Sequence, residues 1–403
     1  MVAAILIFSG TYLVLAVGRL PGFRVDRTGA AIIGATLMII CRVLTLEEAY
    51  RAIDYDTLIL LFGMMIVVAN LRLSGFFRAV AARVVEHAHR PILLLASIVF
   101  VSGFFSAFFV NDTICLAMTP LVLEVTAALG RNPVPFLLAV AMGSNIGSVA
   151  TITGNPQNMM IGAFSRIGYG EFFAALSPVA LIGLALAVAV LAAVYWREFR
   201  LEEPVRPRYP RVRLNRVLMW KSLVVSAVMI VLFFTGWPVP MVALAAGALL
   251  LVTRRVKPEK VYHEIDWPLL VMFAGLFVLV AGVEKSVLAG RAAEIASRLQ
   301  LDHAGMLSAA TAVLSNLVSN VPAVLVFKPF VEHLTDPKSA WLTLAMASTL
   351  AGNLTLLGSV ANLIVVQRAR ATVTVGFWEY FKAGAPLAVL TIWIGVMLLG
   401  QVR

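Results

Sequence analysis

The chain has 403 residues, 61% of them hydrophobic and 13% charged, with a mean hydropathy of +0.94. A soluble domain is nearer half apolar and a quarter charged, so this composition excludes a soluble globular enzyme and describes a polytopic α-helical membrane protein; barrel strands would alternate over short segments, and these runs do not. The net charge of +11 is read as lysine and arginine gathered in cytoplasmic loops rather than as a nucleic-acid interface, and two cysteines, Cys41 and Cys115, supply neither a disulfide framework nor a structural metal site.

Val2–Val17 has no basic leading segment and no small-residue cleavage pattern, so it reads as a first membrane helix rather than a signal peptide. Apolar spans follow near 29–45, 57–73, 93–128, 135–165 and 174–196, and again near 218–236, 238–254, 267–284, 304–334, 340–367 and 384–402. Most approach the length of about 20 residues that crosses about 30 Å of hydrocarbon. The long 93–128 and 304–334 spans are each interrupted by polar residues at the middle.

The two halves repeat. Ile53-Asp54-Tyr55 matches Ile265-Asp266-Trp267, and Gly63 matches Gly275, an offset of 212 (275 − 63). Asn111 and Pro120 match Asn320 and Pro329 at an offset of 209 (320 − 111), and Gly154 and Asn158 match Gly358 and Asn362 at 204 (358 − 154). Glu171, Phe173 and Pro178 match Glu379, Phe381 and Pro386 at 208 (379 − 171). The expected organisation is an N-terminal repeat over 1–196, a basic cytoplasmic linker over 197–217 and a C-terminal repeat over 218–403. With that linker inside, Arg19, Arg24, Arg27, Arg72, Arg78, Arg83, Arg90, Arg131, Arg254, Arg255, Lys257, Lys260, Arg368, Arg370 and Lys382 fall on the same side, while Arg42, Arg51, Arg166, Lys285, Arg291, Arg298 and Lys338 fall outside. An odd number of crossings in each half then inverts the second half, and both termini lie outside. The expected fold class is all-α and polytopic, with two inverted-topology repeats, each of about five transmembrane helices plus a re-entrant hairpin and a broken helix. Two full crossings in place of each hairpin leave the parity unchanged.

Polar residues inside such spans must face protein or a wet cavity. The first hairpin tip is Asn111-Asp112-Thr113, and Asp112 is the acid set deepest in an apolar run. Intramembrane acids mark ion or proton paths, so Asp112 is the candidate for proton or cation coupling; the alternative is a cap on its own helix. The second tip is Ser319-Asn320-Val321-Pro322, with Asn320 expected to cap the helix that Pro322 starts. Val321 stands at the position of Asp112, so the site is asymmetric in charge. Lys328, beyond this tip, is expected to snorkel to the interface, the alternative being a pair with a carboxylate. The broken helices supply Asn145, Thr151, Asn155 and Asn158 in the first half, and Asn353, Thr355, Ser359 and Asn362 in the second. Together with Asn111, Thr113, Ser319 and Asn320 these are the candidate substrate-binding residues, because helix ends at mid-depth offer free N–H donors. No catalytic residue, metal ligand or cofactor is expected: the five histidines form no HExxH pattern, and no phosphate-binding loop occurs.

Val110-Asn111-Asp112-Thr113 through Thr119-Pro120-Leu121-Val122-Leu123, and Ser319-Asn320-Val321-Pro322-Ala323-Val324-Leu325-Val326, resemble the two hairpins of the ArsB arsenite/antimonite permease family. The Ser144-to-Asn158 stretch is similar to the wider ion transporter superfamily. Sodium-dicarboxylate members carry Ser-Asn-Thr at both tips, where it holds substrate and sodium; this chain has Asn-Asp-Thr and Ser-Asn-Val-Pro instead. The resemblance implies a secondary carrier, with arsenite or antimonite efflux in exchange for protons as the leading expectation. An anion or dicarboxylate transporter and a sodium/proton antiporter are the alternatives within the superfamily, and a membrane enzyme is the alternative outside it. The implied partners are a small inorganic oxyacid or anion, protons or sodium, the lipid bilayer, and a soluble ATPase subunit for which the basic central loop is the candidate dock. The implied location is a bacterial-type inner (plasma) membrane.

Overall fold

In the computed structural model, residues 1–18, 23–87, 90–200, 214–288 and 291–401 are described. Most of the basic linker, including Arg206, Arg208, Arg211 and Arg213, lies outside them. The described chain is helical. The first half contains α1 (Val2–Val17), α2 (Arg27–Ile40), α3 (Tyr55–Leu73), α4 (Pro91–Phe108), α5 (Asn111–Ala128), α6 (Pro133–Ser148), α7 (Pro156–Ser165) and α8 (Tyr169–Val194). The second half contains α9 (Arg216–Phe233), α10 (Val239–Leu251), α11 (Trp267–Val283), α12 (Ala304–Val318), α13 (Asn320–Val331), α14 (Pro337–Ala351), α15 (Val360–Ala369) and α16 (Phe377–Gln401). Each helix has a counterpart at the same place in the other half.

Local chemistry explains several of these boundaries. The repeated Ile-Asp-aromatic signature is a helix start: Asp54 accepts from Thr57 N at 2.7 Å to begin α3, and Asp266 accepts from Leu269 N at 3.0 Å to begin α11. Asn132 and Asp336 cap α6 and α14 in the same way, each followed by proline at the first helical position. The break between α6 and α7 is a 3₁₀ turn at Ile152–Gly154, and that between α14 and α15 is one at Leu356–Gly358.

The halves interlock by exchange: α3 packs on α10, and α11 packs on α2. Glycine makes both contacts close enough. A Cβ on Gly63 would stand 2.6 Å from the Ala243 carbonyl carbon, and one on Gly275 would stand 2.9 Å from that of Ala31. Ala31 and Ala243 differ by the same 212 positions as the glycines (243 − 31), so one contact is the image of the other. Within each half, α4 packs on α6 and α12 on α14, while α8 and α16 pack together across the halves.

Two ion pairs and one hydrogen bond fix the relative direction of equivalent helices. Arg72, at the end of α3, pairs with Glu264, which precedes α11. Glu48, which precedes α3, accepts from Lys285 Nζ at 2.6 Å, just past the end of α11. Tyr195, at the end of α8, donates at 2.6 Å to Glu379, in the first turn of α16. Ends meet beginnings in all three contacts, so the second half is inverted relative to the first. Among the described residues, six helices are long and apolar enough to cross a bilayer by length and composition: α3, α4, α8, α9, α16 and the Trp267–Leu288 segment that contains α11. The arms of the second hairpin are shorter, at 15 and 12 residues. At 1.5 Å per residue they reach about 22 and 18 Å, which suits a re-entrant pair rather than two crossings.

Candidate substrate site

The two breaks meet at the centre of the molecule, and asparagine holds them together. Asn145, near the end of α6, donates from Nδ2 to Asn353 Oδ1 and to Asn362 Oδ1, each at 2.9 Å. Its own Oδ1 accepts from Asn111 Nδ2 at 3.2 Å and from Ser359 Oγ at 3.1 Å. One side chain thus joins the first hairpin tip, the first break and the second break. Asn145, Asn353 and Asn362 are fully buried, and a buried amide without partners would cost several kcal/mol, in round terms, so this closure accounts for their presence in the span.

Each break is also tied internally by one amide. Asn158 Nδ2 donates to Ser148 O at 3.1 Å and Thr151 O at 3.0 Å; Asn362 Nδ2 donates to Gly352 O at 2.7 Å and Thr355 O at 3.2 Å. Ser148 O and Gly352 O are carbonyls that the interrupted helices leave free, while Thr151 O and Thr355 O also accept from Gly154 N and Gly358 N within the 3₁₀ turns. Asn155 caps α7 through Asn158 N at 2.8 Å and reaches across the halves to Thr349 Oγ1 at 3.1 Å. Thr151 Oγ1 donates to Ala107 O, and Thr355 Oγ1 donates to Asn316 Oδ1 at 2.9 Å. Asn158 Oδ1 accepts from no described donor.

The hairpin tips sit beside this network. Ser144 Oγ donates to Asn111 O at 3.1 Å, and Ser315 Oγ donates to Ser348 O at 3.1 Å. The neighbours of Asn320 set its amide orientation: nitrogen toward Ser315 Oγ, Ser348 O and Gly358 O at 2.6, 3.1 and 3.0 Å, oxygen toward Gln157 Nε2 at 3.1 Å. Asn320 is the first residue of α13 rather than its cap; Ser319 takes the cap position with φ +79° and no side-chain cap bond. Val110 holds the cap position of α5, so Asp112 lies one step inside the helix and is not that cap. Its carboxylate accepts from no described donor.

Between the tips lies a cavity of about 70 Å³. Of the candidate residues, Asn111, Asp112, Ser319, Asn320 and Ser359 line it. Asn145, Thr151, Asn155, Asn158, Asn353, Thr355 and Asn362 stand behind that wall and hold the breaks, while Thr113 lies half-buried on α5 away from it. Two polar wall residues were not among the candidates: Arg27, counted from the sequence only as an inside charge, and Gln157. Of the two expectations for Lys328, the structure shows the pair with a carboxylate. Its Nζ is 3.4 Å from Glu284 Oε2 and lies 5.3 Å from the Phe164 ring centre, so it ties the second hairpin to α7 and to the end of α11.

Set against known proteins, the profile of the citrate transporter family, CitMHS, matches residues 11–351. The chain belongs to that family. Among curated relatives, it is 31% identical to the silicon efflux transporter LSI3 of Oryza sativa subsp. japonica, covering 98% of this chain and 96% of that one. It is 24% identical to the putative transporter arsB of Dictyostelium discoideum, over 92% of this chain and 87% of the other. The fold is that of the YdaH transporter of Alcanivorax borkumensis, with a TM-score of 0.63 over 99% of this chain and 96% of that chain at 15% identity. This CitMHS member is therefore a multi-pass membrane transporter of the ion transporter superfamily, and its relatives are transporters rather than enzymes.

Proposed function

We propose that the protein exports a small, neutral, polyhydroxylated oxyacid in exchange for protons, with arsenite or antimonite as the leading cargo. The observation that carries this reading is the cavity between the hairpin tips, with the Asp112 carboxylate on its wall. At about 10–15 Å³ of probe-occupied volume per water, it has room for about five waters, hence for a species of four or five heavy atoms. As(OH)3 and Si(OH)4 are of that size and uncharged at neutral pH, and citrate is more than twice as large. The names of two relatives, one an efflux transporter for silicon and one called arsB, point to the same chemical class.

In this scheme Asp112 accepts hydrogen bonds from cargo hydroxyls when ionised and releases the cargo when it takes a proton. Proton and cargo compete for one carboxylate, which is what exchange requires. The hairpins and broken helices move against the interlocked α2, α3, α10 and α11, opening the cavity to each side in turn. The repeats run over 1–196 and 218–403, the linker over 197–217 is cytoplasmic, where a soluble ATPase subunit has room to dock, and both termini lie outside a bacterial-type inner membrane. The paired loops support that assignment: Glu48 with Lys285 and Glu171 with Lys338 fall outside, and Arg72 with Glu264 and Arg131 with Glu198 fall inside.

A second reading, an anion or dicarboxylate carrier, draws on the family's name and on Arg27, a positive charge at the cavity. Sodium in place of the proton draws on Asn158 Oδ1, a buried oxygen without a described donor. Everted vesicles under an imposed proton gradient separate these readings. Arsenite uptake that collapses with the gradient and is lost in Asp112→Asn supports proton exchange. Citrate or sodium movement without arsenite movement would sink it.

A further inference from the structure

We infer that Arg27 is a cargo-contacting residue that sets the selectivity of this site. The inference rests on the reading above, in which the cavity between the tips holds the cargo.

Most polar donors at the cavity wall are already engaged with the protein. Gln157 Nε2 serves Thr349 Oγ1 and Asn320 Oδ1, each at 3.1 Å, and Ser359 Oγ serves Asn145 Oδ1. The Asn320 nitrogen faces three acceptors, and Asn111 Nδ2 gives one of its two hydrogens to Asn145. Residues this committed cannot turn toward a cargo without breaking the ties that hold the hairpin tips to the breaks. Arg27 is different. Its Nε donates to Leu15 O at 3.1 Å, near the end of α1, and neither terminal nitrogen has a described partner. A guanidinium has five donors in a rigid plane, so one bond to Leu15 aims the head and leaves the fork available.

The placement is built by the fold. Gly18 ends α1 in the left-handed region at φ +85°, and the chain returns so that Arg27 begins α2 beside that end. A Cβ on Gly18 would stand 3.9 and 4.0 Å from Arg27 Nε and Nη2, which puts the head directly over the turn. Opposite charges on one small wall then divide the work. Arg27 donates to cargo oxygens, and Asp112 accepts from cargo hydroxyls. With Asp112 ionised the wall has no net charge, which suits a neutral polyhydroxyl acid. The equivalent position in the second half, the first residue of α10, is Val239 (27 + 212), so the repeat itself does not call for this arginine.

The test uses the full chain in proteoliposomes, with Arg27→Gln and Arg27→Lys, and three probes: arsenite, silicic acid and citrate. Half-saturating concentration and maximal rate are read separately, because the first does not depend on how much protein is folded. Arg27→Gln is expected to raise the half-saturating concentration of a neutral oxyacid about ten- to a hundredfold, the range for loss of a charge-assisted hydrogen bond. Arg27→Lys, which can still reach Leu15 O but lacks the fork, should restore stability without restoring affinity. An unchanged half-saturating concentration in Arg27→Gln, with only thermal stability lowered, would reduce Arg27 to a cap on α1 and overturn the inference. If the wild type moves none of the three probes, the transport reading itself fails. If Arg27→Gln weakens citrate alone, the contact stands and the neutral cargo is wrong.

Discussion

Asn145→Ala tests whether the centre of the molecule is held as described. The substitution removes one amide and leaves four buried groups without their described partners: Asn353 Oδ1, Asn362 Oδ1, Asn111 Nδ2 and Ser359 Oγ. An unsatisfied buried polar group costs about 1–3 kcal/mol. Asn111 and Ser359 also line the cavity, where water can replace the lost contact, but Asn353 and Asn362 lie behind its wall. Those two acceptors alone give a loss of about 2–6 kcal/mol, a large share of the roughly 5–15 kcal/mol by which folded domains are stable. Thermal melts of detergent-solubilised protein, read as the monodisperse fraction surviving heat, should show a sharp fall for Asn145→Ala. Thr113→Ala, a half-buried position whose side chain has no described bond, should stay close to wild type. The double variant Asn145→Ala with Asn353→Ala should lose less than the sum of the singles, by about 0.5–3 kcal/mol, because each single strands the other's partner. Additive losses, or an Asn145→Ala melt that overlays Thr113→Ala, would refute the network.

Three further outcomes follow from the same geometry. Gly63→Val and Gly275→Val each drive a branched side chain into the backbone of the opposite half, at Ala243 and Ala31. Both should lower folded yield strongly, beyond the usual overpacking cost of about 1–3 kcal/mol, and wild-type accumulation of either would refute the exchange. Cys41 is exposed and Cys115 buried; a membrane-impermeant maleimide added to intact cells should label Cys41 alone, and labelling only in everted vesicles would reverse the proposed orientation. Lys328→Gln removes the tie between the second hairpin and Glu284. A cysteine at Ser319 should then react with an external thiol reagent up to about fivefold faster, the reach of a partly exposed ion pair worth at most about 1 kcal/mol; an unchanged rate would remove Lys328 as an outer latch.

The order of helices and the two breaks were legible because bilayer chemistry leaves few reasons for Asn, Gly and Pro at mid-depth. The Ile-Asp-aromatic match was legible as a repeat but not as the two helix caps it forms, whereas Asn158 with Asn362 marked two breaks, since each residue does the same job in both halves. What the sequence obscured was which polar residues face the cavity and which hold the frame. Asn145 and Asn158 look alike in the chain to Asn111, and only their partners separate them. Arg27 was hidden for another reason: it sits at a helix start next to a loop, where an arginine reads as a topology signal, and its head reaches the site only because Gly18 turns the chain back. For Lys328 the sequence left snorkelling and a carboxylate pair both open, because the partner, Glu284, is 44 positions away (328 − 284) and nothing local points to it. The cap at Asn320 fell one residue short because Ser319 adopts a positive φ that composition does not announce.

The symmetric and asymmetric features of the chain serve separate ends. The frame is duplicated: the glycine contacts between halves, the Asn158 and Asn362 ties across the breaks, and the serine ties from each hairpin to its neighbour. In the proposed exchange, inverted copies of one unit make the inward and outward states near images. The charges are not duplicated. Asp112, second residue of α5, faces Val321, second residue of α13, across the repeat; Arg27, first residue of α2, corresponds to Val239, first of α10. Both charged groups at the cavity therefore come from the first half, at positions where the second half is apolar. A swap that moves the pair, Asp112→Val and Arg27→Val with Val321→Asp and Val239→Arg, would place the same chemistry on the opposite hairpin. If the scaffold is as symmetric as its contacts, that chain should still fold and still bind the neutral oxyacid. Exchange should persist with the preferred direction of proton entry altered, whereas total loss of binding in a folded protein would mean that the two halves are not interchangeable at the site.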